Sequence, residues 1–134
     1  MTNTEKKRIL VVDDQTQNTQ LLKAYLERND YVVKEENDSR TALSAGEEFK
    51  PDLILLDVMM PGVDGGELAA RFKASPTLKT IPIVFLTATV TKAEVNAGGG
   101  LIGGDRFLAK PLVLTDVLAC LKQCLSEDEI TGKI

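Results

Sequence analysis

Two adjacent aspartates, Asp13 and Asp14, close the apolar run Ile9-Leu10-Val11-Val12. A third, Asp57, closes Leu53-Ile54-Leu55-Leu56. Thr87 follows Ile83-Val84-Phe85-Leu86, and Lys110 follows Arg106-Phe107-Leu108-Ala109. Three close carboxylates repel one another, and each resists ionising. A divalent cation relieves that repulsion. Oxygen donors without His or Cys suit magnesium or manganese, which keep several waters and use few carboxylates plus a phosphate. A carboxylate is also a covalent phosphoacceptor. The charge of an incoming phosphoryl group then calls for a metal and a cation nearby. Lys110 supplies a point charge, and Thr87 a hydroxyl for a phosphoryl oxygen. Each residue alone has a plainer reading: a helix cap for Asp13, Asp14 or Thr87, a solvated turn for Lys110 before Pro111. Asp57, at the end of an all-apolar run, has no such simple role. The chemical reading rests on the whole set.

Other chemistries are closed off by a count of zero, for the 134 residues contain no histidine. That excludes imidazole metal sites, Ser-His-Asp and Cys-His nucleophiles, and a histidine phosphoacceptor within the chain. Sixteen basic and twenty acidic residues give a net charge of −4, with no Lys/Arg-dense stretch, so no nucleic-acid partner is expected. The N-terminus is polar and the first apolar run is short, so neither a signal peptide nor a membrane span is expected. Cys120 and Cys124, four apart, lack partners for a zinc site and read as core packing. Their use suits a reducing, cytoplasmic setting.

For the acidic residues to meet, the apolar runs must be neighbouring strands. Strands are expected at Ile9–Val12, Tyr31–Glu35, Leu53–Leu56, Ile83–Leu86 and Arg106–Ala109. Helical patterns alternate with them. One spans about residues 16–29 with Leu21, Leu22, Tyr25 and Leu26 on its stripe, and one spans about 38–48, capped by Asp38 or Ser39. Capping-box spacing at Asp64–Glu67 opens a third with Leu68, Ala69 and Phe72, and at Thr91–Glu94 a fourth. Leu114, Val117, Leu118, Leu121 and Leu125 stripe the last. Such alternation implies an α/β fold, a doubly wound five-stranded parallel sheet. The three wholly apolar strands belong at its centre and strands two and five at its edges, which gives the flavodoxin-like order 2-1-3-4-5. In such sheets ligands bind beyond the C-terminal strand ends, at the switch point between strands one and three. The chain reads as one domain, 1–134, with a core of about 8–125 and a short tail, 126–134.

These residues resemble the receiver domain of bacterial two-component response regulators. The matching motifs are Ile9-Leu-Val-Val-Asp13-Asp14, Pro51-Asp-Leu-Ile-Leu-Leu-Asp57 continuing through Met59, Pro61 and Gly62 to Asp64-Gly65, Ile81-Pro82-Ile-Val-Phe-Leu-Thr87-Ala88, and Phe107-Leu-Ala-Lys110-Pro111. The resemblance implies that Asp57 accepts a phosphoryl group from a phosphohistidine on a histidine kinase or phosphotransfer protein. It implies Mg2+, or Mn2+, held by Asp14 directly, Asp13 more through water, Asp57, and the Met59 carbonyl. Thr87 would swing toward the phosphoryl group, Ala88 would leave it room, and Phe107 would turn inward behind Thr87. Lys110 would pair with the phosphate, its bond to Pro111 cis. Output would come through the face of the fourth helix, fifth strand and fifth helix.

Three features depart from the family pattern. Gly98-Gly99-Gly100 falls inside the expected fourth helix, at roughly 1 kcal/mol per glycine, and shortens or unwinds it. Gly103-Gly104 replaces the more usual Gly-Ala, and Phe107 the more usual tyrosine. Met59 and Thr89 are poorly suited to orient an attacking water, which implies slow self-dephosphorylation. The resulting expectation is a stand-alone switch and not an enzyme. It would act through an unknown downstream protein, as a monomer or a weak phosphorylation-dependent dimer. A phosphorelay intermediate is the alternative. A magnesium phosphohydrolase would need a second acid two residues after Asp57, where Met59 stands. A nucleotide or flavin domain would need a glycine-rich loop where Asp13-Asp14-Gln15 stands.

Overall fold

A computed structural model describes residues 6–57, 59–60, 63–87, 101–102, 105–109 and 112–133; at 59–60, 63–66, 101–102, 105 and 126–133 the description is of the backbone alone. Strands β1 (Arg8–Val12), β2 (Val32–Glu36) and β3 (Leu53–Asp57) alternate with helices α1 (Thr16–Glu27) and α2 (Ser39–Phe49). A short hairpin, β4 (Met59–Met60) and β5 (Val63–Asp64), precedes α3 (Gly65–Ala74). Then come β6 (Ile83–Thr87), β7 (Leu101–Ile102), β8 (Asp105–Ala109) and α4 (Leu114–Lys133).

The main sheet has the order β2-β1-β3-β6-β8-β7. Its first five members are parallel, which is the expected 2-1-3-4-5 arrangement. Strand alternation divides the core. Ile9, Val11, Leu53, Leu55, Val84 and Leu86 pack with Leu22 and Leu26 of α1 and with Val117 and Leu121 of α4. Leu10, Val12, Ile54, Leu56 and Phe85 pack with Ala42 of α2 and with Leu68 and Phe72 of α3. Covered on both faces, β1 and β3 read as unbroken apolar runs.

Two expectations are corrected. The fifth parallel strand, β8, is not an edge: β7 pairs antiparallel outside it, Leu101 with Arg106 and Ile102 with Asp105. Only Gly103 and Gly104 separate the two in sequence, and a glycine pair between short runs is a hairpin signal. Leu21 is off the buried stripe of α1 and 56% exposed. The stripe follows the helical spacing Thr19, Leu22, Leu26, with Tyr25 half-buried. The fourth helix expected from Thr91 and the glycines at 98–100 lie outside the described residues. No described helix is long and apolar enough to cross a membrane.

Candidate functional site

The chain runs from β1 outward to β2 and returns on the other side of β1 to form β3. Asp13 follows the last residue of β1 and Asp57 ends β3, so both stand at the C-terminal edge where the winding reverses. Ligand oxygens of Asp13, Asp14 and Asp57 lie within 4.8 Å of one another. Asp13 is fully buried, Asp57 is 2% exposed, and Asp14 faces solvent. Thr87 ends β6 and is 1% exposed; the register pairs its neighbour Leu86 with Asp57. Phe107, half-buried on β8, stacks on Phe85 with ring centroids 5.2 Å apart.

The cap reading of the acidic pair does not hold. The N-cap of α1 is Gln15, and its side chain makes no capping bond. The Asp13 carboxylate instead accepts from the Gln15 N–H at 2.9 Å through Oδ1 and from Asn18 Nδ2 at 3.2 Å through Oδ2. Its peptide is held as well: Asp13 N donates to Glu36 O at 3.1 Å, and Asn37 Nδ2 donates to Asp13 O at 2.8 Å. Asn37 also donates to Thr19 Oγ1 at 2.9 Å, and Thr19 lies 2.8 Å from Glu35 Oε2. Asn37, Thr19 and Asn18 were missed by the sequence reading. Thr19 had a signal, a polar residue on a stripe shared with Leu22 and Leu26. Asn37 had none beyond standing at a strand end.

The backbone of Met59 pairs with Asp64 in the β4–β5 hairpin, which holds the segment leaving Asp57. The expected roles of Ala88, Thr89, Lys110, Pro111 and the Met59 side chain lie outside the described residues.

Residues 9–122 match the family model of the response regulator receiver domain. This chain belongs to that family. The receiver is 38% identical over 125 residues to the transcriptional regulatory protein ResD of Bacillus subtilis, covering 93% of this chain and 50% of ResD. It is 43% identical over 105 residues to the response regulator PleD of Caulobacter vibrioides, covering 78% of this chain and 23% of PleD. The receiver therefore spans half or less of these two relatives. The structure of chemotaxis protein CheY4 of Vibrio cholerae superposes with a TM-score of 0.75 at 27% identity, covering 88% of this chain and 98% of that one. Receiver domains are signalling modules, not classical enzymes. They accept phosphoryl groups from histidine kinases or phosphotransfer proteins and generally use Mg2+ at an acidic pocket.

Proposed function

We propose that this receiver is a phosphorylation-dependent switch whose acceptor is Asp57. The convergence of Asp13, Asp14 and Asp57 at the switch point, oxygens within 4.8 Å, carries the reading. Three carboxylates without imidazole or thiolate are the donor set of a hard divalent cation, so the residues fit Mg2+, with Mn2+ as a substitute. Asp14, Asp13, Asp57 and the Met59 carbonyl would hold it. When bound, the ion neutralises carboxylate charge and the charge of the incoming phosphoryl group.

The protein's own groups do the rest. A carboxylate oxygen of Asp57 bonds to phosphorus as the phosphorus–nitrogen bond of a phosphohistidine breaks, and the electron pair stays on the imidazole. Thr87 donates its hydroxyl to a phosphoryl oxygen, Lys110 pairs with the phosphate, and Ala88 leaves space beside it. With no histidine among the 134 residues, the donor lies outside them, on a histidine kinase or phosphotransfer protein. Phe107 has no hydroxyl, so its part in the switch is packing against Phe85. The signal leaves through protein contacts of a face built on the expected fourth helix, β8 and α4. The setting is cytoplasmic, and the unit acts as a stand-alone monomer or weak phosphorylation-dependent dimer.

Incubation with Mg2+ and acetyl phosphate tests the acceptor. The wild-type chain is expected to gain one phosphoryl group, to lose the reaction on chelation, and to lose it in Asp57→Asn. Label retained in Asp57→Asn overturns the assignment.

A further inference from the structure

We infer that Asn37 is a positioning residue for the cation site, acting through Asp13. The inference rests on the metal-site reading above. The β1–β2 ladder ends with Val12 opposite Glu36. One step further, Asp13 N still donates to Glu36 O at 3.1 Å. Past that point the chain turns out of the sheet, because Asp38 is already the N-cap of α2. The bond that continues the ladder at Asp13 O comes from a side chain, the Asn37 amide at 2.8 Å. A carbonyl can only accept, so the atom facing it is the amide nitrogen.

The amide is itself fixed. Its nitrogen also donates to Thr19 Oγ1 at 2.9 Å, and Thr19 is fully buried. Thr19 has one proton and two acceptors, Glu35 Oε2 at 2.8 Å and Thr16 O at 3.0 Å. The charged carboxylate is the stronger acceptor. The bonds therefore run in one direction, from Asn37 through Thr19 to Glu35, and Asn37 stays a donor to Asp13. With its peptide held on both sides and both carboxylate oxygens engaged by Gln15 and Asn18, Asp13 keeps one orientation toward Asp14 and Asp57. Mg2+ demands near-ideal octahedral distances, so the aim of a ligand governs affinity. Removing the Asn37 amide leaves the β1 ladder intact and takes away the side-chain bond that holds the Asp13 carbonyl.

Asn37→Leu keeps the branched shape in a somewhat larger side chain and removes both donors; Asn37→Ser keeps one hydroxyl donor on a shorter stem. Three quantities are measured on the full chain: Mg2+ affinity by calorimetry, urea stability in chelator, and the Mg2+ dependence of labelling by acetyl phosphate. Asn37→Leu is expected to weaken Mg2+ by about tenfold. The Mg2+ needed for half-maximal labelling rises by the same factor, while the rate at saturating Mg2+ stays near wild type. Asn37→Ser falls between the two. Unchanged Mg2+ affinity in a folded variant overturns the inference, as does a lower saturating rate with unchanged half-saturation. If Asn37→Leu does not fold, Asn37→Ser carries the same comparison. A wild-type chain that binds no Mg2+ fails the metal-site reading instead, and the inference falls with it.

Discussion

Asp14 is the solvent-facing member of the carboxylate trio, so its charge can be removed with little loss of packing. Without a cation, its charge opposes those of two buried neighbours. Unit charges at such separations repel by about 1 kcal/mol even at the dielectric constant of water. Asp14→Asn is therefore expected to stabilise the metal-free chain by about that amount, read as a higher urea midpoint in chelator. The same variant is expected to lose most of the stabilisation that Mg2+ would give the wild type at the proposed site, since that gain scales with site occupancy. A midpoint no higher than wild type would show that the trio is not mutually repulsive. At this scale the sequence was informative where an acid or hydroxyl closes an unbroken apolar run. Asp13, Asp57 and Thr87 fall at the C-terminal edge because their strands do. Asn37 was not legible, because its bond to Asp13 joins residues 24 apart through a side chain, and no local pattern marks such a contact.

Helix α2 shows how elements fix one another. Gly46 lies inside the helix and is buried. A Cβ there would meet Leu78 Cδ1 at 3.1 Å, Leu10 Cδ2 at 3.3 Å and Phe72 Cε1 at 3.4 Å. Alanine gains about 1 kcal/mol of helix propensity over glycine, but overpacking a core costs about 1–3 kcal/mol. Leu10, Leu78 and Phe72 are essentially unexposed, so any shift to make room is made within the packed core. Gly46→Ala is thus expected to destabilise the chain by about 1 kcal/mol net in urea unfolding, and a gain would show that the leucines yield. At the other end of α2, Asp38 accepts from the Arg40 N–H at 2.9 Å and pairs with its guanidinium. The Arg40 side chain first, then its N–H, hold the Asp38 carboxyl below the ordinary range. The folded value is the lower one, so this contribution is present above the unfolded value and fades as pH falls through the folded one. Asp38→Ala should accordingly lower the urea midpoint more at pH 7 than at pH 3, and an equal loss at both would remove the charge from the account. The cap was legible in sequence. The β7–β8 pairing was not, because two residues are too few to show a period.

Among the described residues the main sheet separates two core clusters, and the thiols report on one of them. Cys120 and Cys124 form no disulfide and pack into the cluster between the sheet, α1 and α4. The sequence assigned them to packing because two sulfurs lack the partners for a zinc site, and their burial agrees. The hydrogen-bonded thiol of Cys124 first, and burial second, push the Cys120 thiol above its ordinary range, with Arg106 pulling weakly the other way. The thiolate is the nucleophile, so the folded chain offers a covered and protonated sulfur. The unfolded chain titrates near the ordinary value of about 8.5. Because the folded state holds the proton to higher pH, the contribution to stability is complete below that value and declines as pH rises past it. At pH 8, alkylation of the native chain is expected to proceed only through opening of the α1–α4 core. Labelling of both cysteines should rise together with urea, at the same midpoint as the loss of helical circular dichroism. Prompt labelling of either cysteine without denaturant would show that α4 leaves the sheet on its own. The α4 side of the proposed output face would then move independently of the fold that carries Asp57.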